Sequence, residues 1–214
     1  MKLYSYYRSM ATFRVRIALN IKGLKRDDEF VHLEHGDQFK PEYKALNPQS
    51  VVPTLIDDGA RLFQSLAILE YLEEKYPSPP LLPKDVLARA WVRGFALINV
   101  ADSHPLIVPR IRNYLTRVMK IDDATRLAWI QHWLGAGLQA MEELLAERKE
   151  SGKFCHGDAP TFADICLVTQ VTPAQLFKCK LDAYPRVMRI HEACMMIPAF
   201  AEAHPLKQPD AEKH

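Results

Sequence analysis

The segment between residues 47 and 70 constrains the fold more than any other part of the chain. An apolar pair runs into Pro53, and residues 54–56 have the character of a short strand. Residues 57–59 are Asp-Asp-Gly, which favours a tight turn because glycine tolerates a positive φ. Residues 61–63 are expected to pair back as a second strand, and Ser65 is expected to cap the helix that follows. The sequence therefore predicts a β-hairpin leading into a helix whose N-terminus offers N–H groups to an anion.

Strand and helix signals alternate through the N-terminal part of the chain. Strand patterns at residues 2–7 and 28–33 flank a helix pattern at residues 12–22, whose apolar side chains share one face. A weaker helix is expected at residues 40–46. The order βαβ, then α, then ββα is that of a thioredoxin-like domain, with a right-handed parallel crossover and antiparallel edge strands. We predict a thioredoxin-like α/β domain over residues 1–80.

Four prolines between residues 77 and 83 separate this part from a helical part, because proline removes a backbone donor and cannot continue a helix. Residues 127–145 keep apolar side chains at steps of three and four, which is typical of a helix-bundle core. Thr161 and Asp164 have the spacing of a capping box, so Asp164 is expected to be structural. We predict an all-α helical-bundle domain over residues 84–214.

Composition narrows the functional class without identifying a function. The formal net charge of +2 is too small to favour nucleic acid or an anionic membrane as a partner. The four cysteines form no Cys-x-x-Cys pair, and neither they nor the histidines have metal-ligand spacing, so we expect reduced thiols and no metal. We find no secretory signal and no apolar run of about 20 residues, and therefore expect a cytoplasmic protein.

Several motifs resemble those of the glutathione transferases. The Val-Pro pair before the hairpin and the Gln-Ser pair after it resemble the glutathione site of that family. The first strand–helix turn, residues 8–16 (RSMATFRVR), resembles the zeta class, which includes maleylacetoacetate and maleylpyruvate isomerases. The chain departs from that class at Met10 and Ala11, where the turn usually reads Arg-Ser-Ser-Cys, and at Leu176, where the class carries arginine. The similarity extends over most of the chain and implies the glutathione transferase fold.

The resemblance also implies glutathione as the cofactor and suggests where it binds. Its cysteinyl unit is expected on the backbone that precedes a cis proline, and its γ-glutamyl end on the Gln-Ser pair. The residues expected to bind glutathione, together with Ser9, are Gln49, Val52, Pro53, Gln64, Ser65 and His104. The helical domain is expected to form the side of a cleft that receives the electrophilic, acidic substrate. A homodimer is expected by the same resemblance.

Ser9 carries the chemistry predicted for the first strand–helix turn. A hydroxyl at a helix N-terminus can donate to a bound thiolate, and the helix dipole adds positive potential, so both lower the pKa of the thiol. The alternative is that Ser9 only caps the helix. Because no cysteine lies in this turn, the nucleophile is expected to come from glutathione. Arg8 and Arg110 are the other catalytic candidates, as partners of substrate carboxylates, although a surface salt bridge explains Arg8 nearly as well.

Three functional hypotheses follow. The first is a glutathione-dependent cis–trans isomerase acting on a maleyl-type keto acid, maleylpyruvate or maleylacetoacetate, in aromatic catabolism. The second is a broad glutathione transferase that conjugates, dehalogenates or reduces peroxides, which the changes at Met10, Ala11 and Leu176 keep open. The third is a non-catalytic binding protein of the same fold, which would not need Ser9 or the Gln64–Ser65 pair.

Overall fold

The computed structural model describes residues 1–212 and divides the chain into two compact units. The N-terminal unit contains Met1–Leu81 together with the described residues from Ile197 onward. The helical unit contains Leu82–Met196. In sequence, the helical unit is therefore inserted between two parts of the N-terminal unit.

Among the described residues, strands occur only in the N-terminal unit, whereas helices occur in both. The strands are β1 (Lys2–Ser5), β2 (Asp27–Phe30), β3 (Thr54–Asp57) and β4 (Ala60–Phe63). The α-helices are α1 (Met10–Ile21), α2 (Pro41–Leu46), α3 (Ser65–Lys75), α4 (Val86–Leu97), α5 (Pro109–Arg117), α6 (Asp123–Glu147), α7 (Phe162–Leu176), α8 (Pro185–Met195) and α9 (Pro198–Ala201). A π-helical segment (Ile98–Ser103) and short 3-10 segments (Asp37–Phe39, His104–Leu106 and Pro205–Lys207) join some of them.

The sheet of the N-terminal unit has the strand order β2-β1-β3-β4. β1 and β2 run parallel and are joined through α1, whereas β3 pairs antiparallel with both β1 and β4. The hairpin between β3 and β4 closes through Asp58 and Gly59, which both have a positive φ. The predicted thioredoxin-like order of strands and helices is confirmed, including the hairpin.

Helix α1 forms the centre of the N-terminal unit. The side chains of Phe13, Val15, Ile17 and Leu19 are fully buried, although they point to different sides of the helix. α3 and α9 pack against it. A helix that is apolar on more than one face must be covered on each of them, and α1 is covered by elements from both parts of the unit.

A buried ion pair fixes the proline-rich segment that ends the first part of this unit. The Nζ of Lys22 lies 2.9 Å from Oε2 of Glu73, and the two side chains are 0% and 8% exposed. Lys22 Nζ also donates to the carbonyls of Tyr76 and Pro79, at 2.7 and 2.9 Å. Glu73 in turn accepts the N–H of Leu81 at 2.9 Å. Because each charge has further hydrogen-bond partners, the desolvation cost of burying the pair is partly offset.

The residues from Ile197 onward differ from the prediction, which placed them in a helical domain over residues 84–214. They group with the N-terminal unit, and two of their carbonyls accept hydrogen bonds from side chains of α1. Asn20 Nδ2 donates to the carbonyl of Ala199 at 3.1 Å, and Arg16 Nε donates to that of Ala203 at 3.1 Å. Their short mixed sequence carries no local signal of these long-range partners.

The helical unit buries the predicted apolar stripe of α6. Ile130, Leu134, Leu138 and Met141 are at most 2% exposed, whereas Leu127, at the start of the stripe, is 40% exposed. α7 packs against α4, α6 and α8, and it is buried over almost its whole length. No helix in residues 1–212 is long and apolar enough to cross a membrane.

A buried carboxylate starts α7. Asp164 is fully buried and accepts the N–H groups of Thr161 and Cys155, at 2.7 and 2.8 Å, and the hydroxyl of Thr161 at 2.9 Å. Burial raises the pKa of Asp164, while these hydrogen bonds act against the rise. The predicted capping box is confirmed, and it ties the loop that carries Cys155 to the first turn of α7.

We predict that Asp164→Ala lowers the free energy of unfolding by about 2–4 kcal/mol, since two buried N–H groups lose their acceptor. Asp122→Ala is the matched control, because Asp122 caps α6 by accepting the N–H of Thr125 at 2.8 Å but is exposed. Its loss should cost about 1 kcal/mol. Denaturant unfolding of both variants measures the difference, and equal losses would contradict a special role for burial at Asp164.

Candidate functional site

Ser9 begins α1 at the end of the turn that follows β1. It is the N-cap of the helix, and its Oγ accepts the N–H of Thr12 at 3.2 Å. Its own N–H donates to the carbonyl of Tyr6 at 3.0 Å. The hydroxyl proton remains available because a capping oxygen acts as an acceptor. Ser9 therefore caps the helix, as the simpler interpretation holds, and in the same position offers a donor beside the positive end of the helix dipole.

Arg16 holds the backbone that leads into this turn. Arg16 is 1% exposed, and its guanidinium donates to the carbonyls of Tyr6, at 3.5 Å, and Tyr7, at 3.1 Å. Burial lowers its pKa to about 9, and neighbouring Arg26 adds to the effect. The group stays charged at neutral pH, so its donors remain available to these carbonyls.

Arg8 lies beside Ser9 but points to solvent. Its Nη1 is 3.2 Å from Oε1 of Glu34, and the two side chains are 41% and 48% exposed. An exposed pair of this kind contributes about 0–1 kcal/mol, so Arg8 can exchange Glu34 for a ligand carboxylate at little cost. The structure therefore shows the salt bridge that was the alternative for Arg8.

The Val52–Pro53 peptide bond is cis, as the resemblance implied. The preceding carbonyl, that of Val51, accepts the hydroxyl of Tyr43 at 2.6 Å and the amide of Asn47 at 2.9 Å. Val52 itself lies outside the strand registers of β3, which begin at Thr54. Its N–H and C=O are therefore not part of the sheet ladder.

An apolar cluster joins this segment to the turn that carries Ser9. Val52 packs in one cluster with Tyr6, Tyr7, Val31 and Tyr43. The two tyrosines directly precede Arg8 and Ser9 in the chain. Because protein interiors are close-packed, a displacement of Val52 would also displace Tyr6 and Tyr7.

Gln64 and Ser65 begin α3 in a way that the sequence did not predict. The predicted N-cap, Ser65, is wrong: Gln64 is the N-cap, and Ser65 is the first helical residue. Gln64 has φ 68° and ψ 118°, a sparsely populated backbone conformation of the kind that concentrates at functional sites. Its side chain is exposed and donates to Oε1 of Gln49 at 2.8 Å. The two predicted glutamines of the site are thus in direct contact.

Ser65 connects the start of α3 to α1. It is 3% exposed, and its Oγ accepts Nε of Arg14 at 3.0 Å. Arg14 is itself 2% exposed, so a buried guanidinium lies directly behind the first turn of α3. The N–H groups and the dipole of this helix N-terminus favour an anion at this point.

His104 and Arg110 belong to the helical unit. His104 opens a 3-10 turn after the π-helical segment Ile98–Ser103, and the carbonyl of Leu106 in that turn accepts Nε1 of Trp129 at 2.9 Å. Arg110 is exposed in the first turn of α5. His104 and Arg110 therefore lie apart in sequence from the other predicted site residues. Those seven all lie in the N-terminal unit: Arg8, Ser9, Gln49, Val52, Pro53, Gln64 and Ser65.

A buried amide network, which sequence reasoning missed, fixes the π-helical segment before His104. Gln170 accepts Nδ2 of Asn99 at 2.7 Å and donates to Oγ of Ser103 at 2.7 Å and to the carbonyl of Leu134 at 3.0 Å. Gly137 leaves the space for it, because a Cβ there would lie 2.5 Å from Gln170 Nε2. No local sequence pattern indicates this network, because Asn99 and Gln170 lie 71 residues apart. π-helical turns of this kind often occur near functional residues.

Arg112 is a second residue that the sequence did not single out. Its guanidinium carbon lies 5.6 Å from the ring centroid of Phe177, the residue after Leu176. Leu176 ends α7 and is 57% exposed. The α5 helix thus places a cation near the position where the chain departs from the zeta-class pattern.

Comparisons with known proteins agree with this architecture. The profile of the glutathione S-transferase N-terminal domain matches residues 3–80, and that of the C-terminal domain matches residues 109–202. A maleylacetoacetate isomerase of Pseudomonas aeruginosa is 46% identical over 213 residues, which cover 98% of each chain.

Two solved structures are similar over the whole chain. The holo structure of a maleylpyruvate isomerase, described as a bacterial glutathione S-transferase in the zeta class, has 45% identity and a TM-score of 0.96, covering 99% of this chain and 100% of the other. A maleylacetoacetate isomerase from Methylobacterium extorquens with bound malonate and glutathione has 43% identity and a TM-score of 0.97, covering both chains fully. The chain belongs to the glutathione S-transferase family, in its zeta class.

Proposed function

We propose that this protein is a glutathione-dependent cis–trans isomerase of a maleyl-type keto acid, maleylpyruvate or maleylacetoacetate, in aromatic catabolism. The observation that carries the proposal is the hydroxyl of Ser9 at the N-terminus of α1, in a turn without cysteine, packed through Tyr6 and Tyr7 to the Val52–Pro53 segment. Full-length similarity to isomerases of both substrates supports the same reaction class.

The residues of the N-terminal unit fit glutathione, a peptide thiol with two carboxylates. Val52 offers backbone groups outside the sheet ladder, to which a peptide can bind as a strand would. The first turn of α3, with Arg14 behind it, favours the γ-glutamyl carboxylate near Gln64 and Ser65. Gln49 is held against Gln64 and extends the same polar surface. With the other parts of glutathione assigned in this way, Ser9 is the residue that contacts its thiol.

Four side chains of the protein have separate roles in the proposed reaction. When bound, glutathione supplies the thiolate that adds reversibly to the cis double bond and so frees rotation about it. Ser9 donates a hydrogen bond to the thiolate and, with the dipole of α1, lowers its pKa. Arg8 and Arg110 hold substrate carboxylates and stabilise developing negative charge, while His104 assists in binding glutathione.

A broad glutathione transferase is the second candidate, because the end of α7 is apolar. Leu176 is 57% exposed where an isomerase of this class would offer a cation. Arg112, stacked on Phe177, lies next to this position and favours the acidic substrate. A non-catalytic binding protein is the weakest alternative, since the strained backbone of Gln64 and the donor at Ser9 have no function in a scaffold.

The protein is proposed to act as a homodimer through α4. One face of this helix carries Leu87 (80% exposed) and Leu97 (40% exposed), with the small residues Ala90 and Gly94 between them. The spacing of three, four and three residues forms one stripe, and the small residues allow another helix to approach closely. A second copy offers the same stripe, so a two-fold axis would bury both.

We propose a cytoplasmic location, and the proposal is based on the state of the cysteine thiols. All four cysteines are free, and three of them are buried. Burial raises the pKa of Cys155 and Cys194, which keeps these thiols protonated and unreactive. Such a chain is compatible with a reducing compartment, and fractionation of the native cell would test it.

Ser9→Ala should raise the pKa of enzyme-bound glutathione and lower kcat near neutral pH, with little change in glutathione affinity, because the donor to the thiolate is lost. Ser65→Ala should instead weaken glutathione binding by about 1–3 kcal/mol and leave the thiol pKa unchanged. Thiolate absorbance titrated against pH and calorimetric binding measure the two effects. Superimposable titration curves for wild type and Ser9→Ala would show that α1 alone activates the thiol.

Maleylpyruvate or maleylacetoacetate should be converted to the fumaryl isomer with glutathione in catalytic amounts and recovered unchanged. Arg110→Ala should raise KM, and should lower kcat as well if the contact tightens as charge develops. Arg117→Ala, on the same helix and also exposed, is the control. Loss of one free thiol per turnover, without fumaryl product, would reject the isomerase and favour the broad transferase.

Leu87→Glu should dissociate the proposed dimer, because a charge would then be buried in the stripe that the two copies share. Met196→Glu, at an 84% exposed residue outside α4, should leave the mass unchanged. Sedimentation equilibrium measures the mass of each variant. A monomeric wild type at micromolar concentration would contradict the proposal.

A further inference from the structure

The C-terminal segment, defined as residues 197–212, reaches the turn that carries Ser9. It crosses α1, where Arg16 and Asn20 bind its carbonyls. Near its end, Ala211 packs against the cluster of Tyr6, Tyr7 and Val52. The segment thus contacts the same residues that position Ser9.

Asp210 makes the closest polar contact between this segment and the turn. Its Oδ2 accepts the N–H of Tyr7 at 2.8 Å, across 203 residues of sequence. Strand β1 ends at Ser5, so the N–H of Tyr7 has no partner in the ladder. Asp210 therefore takes the place of a strand acceptor two residues before Ser9, and the bond is strengthened by the carboxylate's charge.

The backbone before Ser9 is consequently held from two sides. Arg16 binds the carbonyls of Tyr6 and Tyr7, and Asp210 binds the N–H of Tyr7. The carbonyl of Tyr6 also accepts the N–H of Ser9. These contacts leave little freedom to the peptide planes that set the direction of the Ser9 hydroxyl.

The carboxylate of Asp210 also interacts electrostatically with the buried guanidinium of Arg16. Its other oxygen, Oδ1, is buried and has no hydrogen-bond partner among residues 1–212. A buried acceptor without a partner is unfavourable and rare in proteins. Gln208 holds the segment in this arrangement, because its Nε2 donates to the carbonyls of Glu202 and His204 at 2.8 and 2.9 Å.

We propose that Asp210 is a positioning residue for the thiol-activating hydroxyl of Ser9, and that Gln208 keeps Asp210 in place. The proposal rests on the function assigned above to Ser9. The hydrogen bond and the charge of Asp210 act in opposite directions on a bound thiol. The bond aligns the donor that stabilises the thiolate, whereas the negative charge opposes it.

Asp210→Ala and Asp210→Asn separate these two effects. The alanine variant loses the bond, so the pKa of enzyme-bound glutathione should rise by about one unit, and kcat should fall about tenfold with little change in glutathione affinity. The asparagine variant keeps an acceptor for Tyr7 and removes the charge, so its thiol pKa should equal or lie below that of wild type. Glu202→Ala, an exposed carboxylate of the same segment, should behave as wild type.

Amide hydrogen exchange of Tyr7 in the glutathione-free protein gives a readout that is independent of activity. Exchange should be about tenfold faster or more in Asp210→Ala and unchanged in Asp210→Asn. Gln208→Ala, which leaves the turn untouched, should shift exchange and thiol pKa in the same direction as Asp210→Ala. It provides the test if the latter does not fold.

Two results would overturn the inference. One is an unchanged thiol pKa in Asp210→Ala despite faster exchange at Tyr7, and the other is an equal fall in thiol pKa in both Asp210 variants. A wild type that neither lowers the thiol pKa nor isomerises substrate would instead reject the proposed function. The exchange data would then still report whether Asp210 holds the turn.

Discussion

The guanidinium of Arg16 is the interaction on which the N-terminal unit depends. It is enclosed where α1, the turn after β1 and the C-terminal segment meet, and it donates to carbonyls of the last two. Burying this charge is unfavourable and lowers the pKa of the guanidinium, and the carbonyls of Tyr6, Tyr7 and Ala203 accept its hydrogen bonds. Without Arg16, the carbonyls of Tyr7 and Ala203 would lose a donor in the interior.

A second buried arginine of the same helix organises the other end of the proposed glutathione site. Arg14 lies two residues before Arg16 and contacts Ser65 at the start of α3. One helix therefore fixes both the turn of Ser9 and the first turn of α3 from within the core. Sites held by buried groups need little reorganisation when a ligand binds, which preserves binding free energy.

Local signals in the sequence predicted the fold well, because they concern neighbours in the chain. The hairpin at Asp58 and Gly59 and the capping box of Asp164 are examples. The site was predicted less completely, since its geometry depends on distant partners. Ser65 has the composition of an N-cap, but its hydroxyl binds Arg14, 51 residues away, while Gln64 takes the cap with a positive φ. The amide pair Asn99 and Gln170, 71 residues apart, was equally invisible.

The return of the C-terminal segment to the N-terminal unit has a consequence for biosynthesis. Domains generally fold as they leave the ribosome, the N-terminal one first. Here β1, α1 and the hairpin emerge early, but the partners of Arg16 and Tyr7 in the C-terminal segment follow only after the whole helical unit has been translated. During that interval the nascent unit exposes the face of α1 that α9 later covers. The turn of Ser9 therefore gains its contacts to Arg16 and Asp210 in full only once the C-terminal segment has been translated.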